Sequence, residues 1–170
     1  MKITDVRWTP AFIPIEAPLR YAFGAHPGFS RIIVEVHTDE GLVGLGECYG
    51  GISHARLAGQ ICEALGMDVG MHSGAEFGIS QVAMLRLAAT LPNLVHALDS
   101  HYHHLTDDII EGGKLKYKDG KMAVPKGPGL GVKIDRDKLA KYHHLSKKQQ
   151  MGSWIEDPRQ PGVVRCQPKW

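Results

Sequence analysis

Met67-Asp68-Val69-Gly70-Met71-His72-Ser73 is a short run of β-character, and Leu94-Val95-His96-Ala97-Leu98-Asp99, opened by Asn93, is another. Between them Ile79 to Leu91 carries Val82, Leu85 and Ala89 at helical spacing, with Pro92 just after the last turn. Strand, helix, strand in that order is a βαβ unit, whose crossover makes the two strands parallel. Upstream, Ser53 reads as a helix N-cap and Gly66 as the residue that follows the helix. Ala55, Ala58, Ile61, Cys62 and Leu65 recur between them at helical spacing.

The first fifty residues read as strands. Lys2 to Trp8 alternates, with Ile3 and Val6 out of strict phase. Arg31 to His37 is rich in β-branched residues, and Thr38-Asp39-Glu40-Gly41 joins it to Leu42–Glu47 as a hairpin with Gly41 free to take positive φ. Ala17 to Ser30 holds Pro18, Gly24, Pro27 and Gly28 and reads as a long loop of the kind that often carries function. Downstream, Lys114–Tyr117 and Lys121–Val124 flank Asp119-Gly120, a hairpin signal. Residues 125–131 form a Pro/Gly-rich bridge, Asp135 to His144 a short helix, and Ser146 onward a polar tail. The expected organisation is a strand-rich segment 1–57, a helix-strand-helix-strand segment 58–110, a hairpin and helix 111–145, and the tail 146–170.

Composition narrows the class. The 170 residues are 43% apolar and 22% charged, which suits a soluble folded protein. Twenty Lys and Arg against eighteen Asp and Glu leave +2, no electrostatic footprint for nucleic acid or an acidic membrane. The start of the chain lacks the apolar core of a signal peptide, and no apolar stretch approaches the roughly 18 residues of a membrane span. Cys48, Cys62 and Cys166 are odd in number and lack CxxC spacing, so reduced thiols in a cytoplasmic protein are expected. A (β/α)₈ barrel needs about 250 residues and rarely fewer than about 200, so this chain cannot close one alone.

Histidines carry the chemistry available. His72 falls just past the carboxyl end of a parallel strand, the edge where open α/β sheets and barrels place their sites. An imidazole there can act as general base, although position alone favours a loop or helix-capping histidine. Ser73 can donate to a ligand or cap the next helix. Asp99, His101 and His103 form a D-x-H-x-H series that a continuing strand would turn to one face, able to hold a transition metal or a polyhydroxylated ligand. His26, before Pro27-Gly28, has a rigid turn on one side. Gly127-x-Gly129-x-Gly131 is no phosphate fingerprint, because prolines interrupt it and no strand–turn–helix surrounds it.

Two blocks of the sequence resemble the glucarate dehydratase-like acid-sugar dehydratases of the enolase superfamily, in the mandelate racemase and muconate lactonizing group. Residues 1 to about 57, with Gly24-Ala25-His26 and Gly44-Leu45-Gly46-Glu47, resemble the strands of that family's capping domain. From about Ile61 to His144 the markers are Met71-His72-Ser73, Gly78-Ile79-Ser80, Leu98-Asp99-Ser100-His101-Tyr102 and Val124-Pro125-Lys126-Gly127-Pro128-Gly129-Leu130-Gly131-Val132. The resemblance implies an α+β protein: capping-domain strands joined to a βαβ remnant, strands seven and eight, of an incomplete (β/α)₈ barrel.

By the same resemblance His72 is the strand-seven proton-transfer histidine, and His26, Ser73 and His101 contact an acid sugar. The family's reaction abstracts a proton beside a carboxylate, with Mg²⁺ stabilising the enediolate. Between Gln60 and Ile61 the family has six further barrel strands. The lysine pair, the metal ligands and the aspartate that orients the histidine belong to that stretch, and Gly74 stands where glucarate dehydratase has asparagine. Asp68, Glu76 and Asp99 lack three-ligand spacing for magnesium. The expectation is therefore an impaired or inactive dehydratase that binds no Mg²⁺ at the family site. The alternatives are an acid-sugar-binding or assembly module, or a histidine-based metal binder. Open parallel edges make a homo-oligomer expected.

Overall fold

The computed structural model describes residues 1–21, 24–47, 52–74 and 76–148. Three antiparallel strands, β1 (Ile3–Tyr21), β2 (Gly24–Thr38) and β3 (Val43–Glu47), form a sheet in the order β1-β2-β3. Residues 17–21 and 24–30 of the expected long loop are instead strand, with Leu19 opposite His26 and Arg20 opposite Ala25, and 22–23 lie outside the described residues. Proline lacks a donor, and β1 tolerates it as an edge strand by shifting register between Pro14 and Leu19. Gly28 is needed for close approach: a Cβ there would lie 2.4 Å from Phe12 Cζ and 2.5 Å from the Ile13 carbonyl oxygen. The β2–β3 hairpin forms as expected, Gly41 taking φ 76° and the Leu42 amide donating to Thr38 Oγ1 at 3.1 Å.

One face of the sheet, with Ala11, Ile13, Ile33 and Glu35, is buried. It packs with α3 (Arg136–Lys148), whose His143 ring nitrogen lies 2.8 Å from the Pro10 carbonyl oxygen. The helix runs beyond the expected end at His144, so the first residues of the anticipated tail are helical, and 149–170 lie outside the described residues. The core cluster joins Ile13 and Ile33 of the sheet, Phe77 and Ile79 at the start of the helix over 78–88, Tyr102, Ile109 and Ile134 of the following turns, and Tyr142 of α3; the helix over 52–64 contributes none of its described residues.

The βαβ unit exists in reduced form. β4 (His72–Ser73) pairs in parallel with β5 (Asp99–Ser100), and α2 (Gly78–Ala88) connects them. Met67–Met71 and Leu94–Leu98 are not strands, which corrects that expectation. Parallel strands need cover on both faces, and here Met67 and Val95 are largely exposed. Two bonds still hold the segments together: the Val69 amide to the Asn93 carbonyl at 2.9 Å and the Asp99 amide to the Met71 carbonyl at 3.0 Å.

α1 (Ile52–Ala64) includes Ser53 inside the helix rather than as its N-cap. Gly66 ends it as expected, with φ 67°, its amide on Glu63 and that of Met67 on Cys62. β6 (Tyr117–Lys118) and β7 (Lys121–Met122) form the expected hairpin, with Asp119 and Gly120 at φ 51° and 71°. Residues 125–131 wrap a single cation. Arg86 donates to the carbonyls of Pro125 (2.8 Å), Gly127 (3.2 Å) and Leu130 (3.1 Å). Among the described residues no helix is long and apolar enough to cross a membrane.

Candidate functional site

The short parallel pair β4 and β5, with the turn that follows β5, brings His72, Ser73, Asp99 and His101 into one region. Parallel pairing sets His72 opposite Asp99, and His72 Nδ1 lies 2.9 Å from Asp99 Oδ2. An ionised carboxylate only accepts, so Nδ1 is the donor in this bond and Nε2 points away from it. Both side chains face solvent, at 62% and 71% exposed. A Cβ added to Gly74 would sit 3.8 Å from His72 Nε2, so glycine keeps the space beside that nitrogen open.

His101 crosses His72 edge-to-face with ring centroids 5.9 Å apart. His101 Nδ1 and Ser73 Oγ are buried without a hydrogen-bond partner. Both atoms lie inside the fold rather than on the exposed edge where His72 and Asp99 meet.

His26 stands elsewhere in sequence space and on a different sheet, on β2 opposite Leu19, where burial pulls its pKa below the ordinary value. The D-x-H-x-H series does not share a strand face. The chain turns after Ser100 into a 3₁₀ turn (Tyr102–His104), because the Ser100 hydroxyl accepts the Tyr102 amide at 3.1 Å. His103 Nδ1 then faces the Ser100 carbonyl at 3.2 Å, while its ring lies 3.9 Å from that of His104. Burial, and then the charges of His103 and His101, hold His104 below the usual histidine pKa. Among the described residues no group of three His, Cys, Asp or Glu side chains is placed to hold a metal, so the transition-metal site read from Asp99, His101 and His103 is not formed.

Beneath this edge lies a buried polar frame that sequence reasoning missed. Glu47 accepts the Phe77 amide (2.8 Å) and the Ser80 amide (2.9 Å), and Arg31 stands 3.2 Å from it. Burial drives the Glu47 pKa up to about 7 against those donors. Asp108, wholly buried, accepts the Gly78 amide at 3.1 Å, the Ile109 amide at 2.7 Å and the Tyr102 hydroxyl. Burial raises the pKa of Asp108, and burial together with the Asp108 charge raises that of Tyr102. These two carboxylates satisfy three amides of the α2 N-terminus, which has no side-chain cap of its own from Phe77. Ser100 donates to the buried Glu76 and stands 2.9 Å from Gln81 Oε1. The one available sequence signal was two acidic residues, Asp107 and Asp108, set directly before Ile109-Ile110.

Comparison with known proteins accords with this geometry. Residues 46–138 match the family described as Enolase C-terminal domain-like, and the chain belongs to that family, within the mandelate racemase and muconate lactonizing group of the enolase superfamily. Over 109 residues it is 38% identical to a probable glucarate dehydratase of Streptomyces coelicolor, covering 64% of this chain and 23% of that protein. A chloromuconate cycloisomerase of Cupriavidus pinatubonensis is 28% identical over 100 residues, which are 59% of this chain and 27% of that one. A crystal structure of an enolase from Pseudomonas fluorescens, with bound magnesium, potassium and tartrate, superposes with a TM-score of 0.55 at 38% identity. That match covers 58% of this chain and 24% of the other. The chain thus spans about a quarter of the length of the curated relatives it matches.

The residues described around His72 do not fit a magnesium ion. Mg²⁺ takes oxygen ligands in near-octahedral array, whereas this edge offers imidazoles and one carboxylate, Asp99, already bonded to His72.

Proposed function

We propose that this chain derives from an acid-sugar dehydratase of the glucarate type and recognises hydroxylated carboxylic acids at the edge formed by His72, Ser73 and His101, with turnover impaired. The hydrogen bond from His72 to Asp99 carries the reading. In it Asp99 takes the orienting part that a general-base imidazole requires. Nε2 can then accept the proton from the carbon beside a substrate carboxylate, while Asp99 stabilises the imidazolium that results. Ser73 and His101, the substrate-contacting positions that the resemblance implies, meet the ligand's oxygens once their buried polar atoms turn outward. Impairment follows from the missing counterpart: charge developing on the enediolate needs preorganised donors or a cation, a term worth on the order of several kcal/mol. The probable glucarate dehydratase relative and the tartrate-bound neighbour support the substrate class.

The test is titration of purified protein with glucarate and tartrate followed by histidine NMR, then incubation with Mg²⁺ and assay for keto acid. Ligand-dependent shifts at His72 and His101 without keto acid are expected. Keto acid formation lost in His72→Ala overturns the impairment. The absence of any ligand shift overturns the substrate class.

A further inference from the structure

We propose that the outward face of α1 is the seat of a second copy of this chain, held by an antiparallel helix pair with its two-fold axis at Ile61. This inference is independent of the ligand reading above.

α1 is amphipathic but turned inside out. At about 100° per residue, Leu57, Ala58, Ile61, Ala64 and Leu65 share an arc of about 120°. An apolar arc ordinarily faces the core, yet all five are exposed, Leu57 at 55%, Ile61 at 51% and Leu65 at 68%. The helix meets the rest of the molecule through the opposite side. Gly59 is buried there, and a Cβ on it would lie 2.6 Å from Leu91 Cδ2. Asn93 fastens the same side by donating to the Gly59 carbonyl at 3.1 Å. Rotation to bury the apolar arc is thereby blocked. The Leu65 amide still bonds to the Ile61 carbonyl at 3.1 Å, so the stripe stays helical to its last member. Helices this short are marginal in water without tertiary packing.

The occupant is specified by the order of residues. Within Leu57-Ala58-Gly59-Gln60-Ile61-Cys62-Glu63-Ala64-Leu65 the five exposed apolar residues of the arc stand symmetrically about Ile61, with half-buried Cys62 off the arc. In an antiparallel pair Leu57 meets Leu65 of the second copy, Ala58 meets Ala64, and Ile61 meets itself, with the alanines admitting close approach. That is the self-complementarity an isologous interface requires. Area sets the strength. A 13-residue helix is about 20 Å long and about 10 Å across, so one face falls short of the roughly 800 Å² per partner of a standard interface. The dimer is therefore weak and dissociates on dilution through the micromolar range.

Sedimentation velocity over a concentration series on wild type, Ile61→Glu and Trp8→Glu tests this. Trp8 is an exposed apolar residue on the β1–β3 sheet and serves as the control. Wild type and Trp8→Glu should move from 18.7 kDa toward twice that mass as concentration rises, and Ile61→Glu should stay at 18.7 kDa with unchanged helical circular dichroism. Geometry is read by oxidative cross-linking with Cys48, Cys62 and Cys166 changed to serine. Leu57→Cys mixed with Leu65→Cys should cross-link, and Leu57→Cys alone should not. Monomer at every concentration, association of Ile61→Glu equal to wild type, or self-cross-linking of Leu57→Cys would each overturn the proposal.

Discussion

Glu47, the last residue of β3, accepts the Phe77 amide at 2.8 Å, so a side chain from the antiparallel sheet caps a helix that begins thirty residues later. The same carboxylate holds the Ser80 amide, and both bonds orient α2 and the β4–β5 edge against the sheet.

Its pH dependence has a definite sign. The native pKa near 7 lies above the ordinary 4.5, so the folded state keeps a proton that the unfolded chain has released. The contribution is complete below about pH 4.5 and is lost as pH rises through about 7, amounting to about 3 kcal/mol. Glu47→Gln removes that slope. Urea unfolding of both proteins between pH 4.5 and 7 should show wild type losing stability relative to the variant, and parallel profiles would refute it.

Arg136 grips Glu35 through both guanidinium nitrogens, one at 2.6 Å, and pins the start of α3 to β2. The Arg136 hydrogen bond holds Glu35 below the usual carboxylate range. Glu35 is buried, whereas Arg136 is mostly exposed, so truncation costs less than at a fully buried pair. Arg136→Ala should destabilise by about 2 kcal/mol at pH 7. The deficit should shrink in acid, since a lowered native pKa gives stability that is present above about pH 4.5 and lost as pH falls through the native value. Thermal unfolding at pH 7 and pH 3.5 measures both effects.

Asp99→Asn tests the dyad. An amide can donate as well as accept, so the fixed Nδ1–H tautomer of His72 should give way to a mixture. Nitrogen-15 shifts of the His72 ring read this directly. A tautomer unchanged from wild type would mean that Asp99 does not orient the ring.

Gly131→Ala should destabilise the protein by about 2 kcal/mol in chemical denaturation. Gly131 has φ 75°, and a Cβ would stand 2.9 Å from Arg86 Nη2 and 3.0 Å from the Lys126 carbonyl oxygen. In an Arg86→Ala background the loss should shrink but persist, because the positive φ and the Lys126 carbonyl still oppose the new methyl.

The hairpins around Gly41 and Asp119-Gly120, the Gly66 helix end and the helices at 78–88 and 136–148 were legible in the sequence. Turn chemistry and helical period act over a few neighbouring residues, so the chain declares them locally. His72 was expected just past a strand over Met67–Met71, whereas it is itself the first residue of β4, and the family resemblance alone supplied its role. Tertiary structure alone decided the rest. Residues 17–21 and 24–30 became strand because β1 and β2 lay side by side to pair, and Met67–Met71 stayed irregular because among the described residues it is largely exposed. Asp99 turned to His72 rather than to His103 because Ser100 captured the Tyr102 amide and ended the strand. Which face of α1 meets water was fixed by Gly59 against Leu91. Period and turn propensity are written in adjacent residues, whereas burial, charge pairing and the exposure of an apolar face depend on what the fold brings from thirty or a hundred residues away.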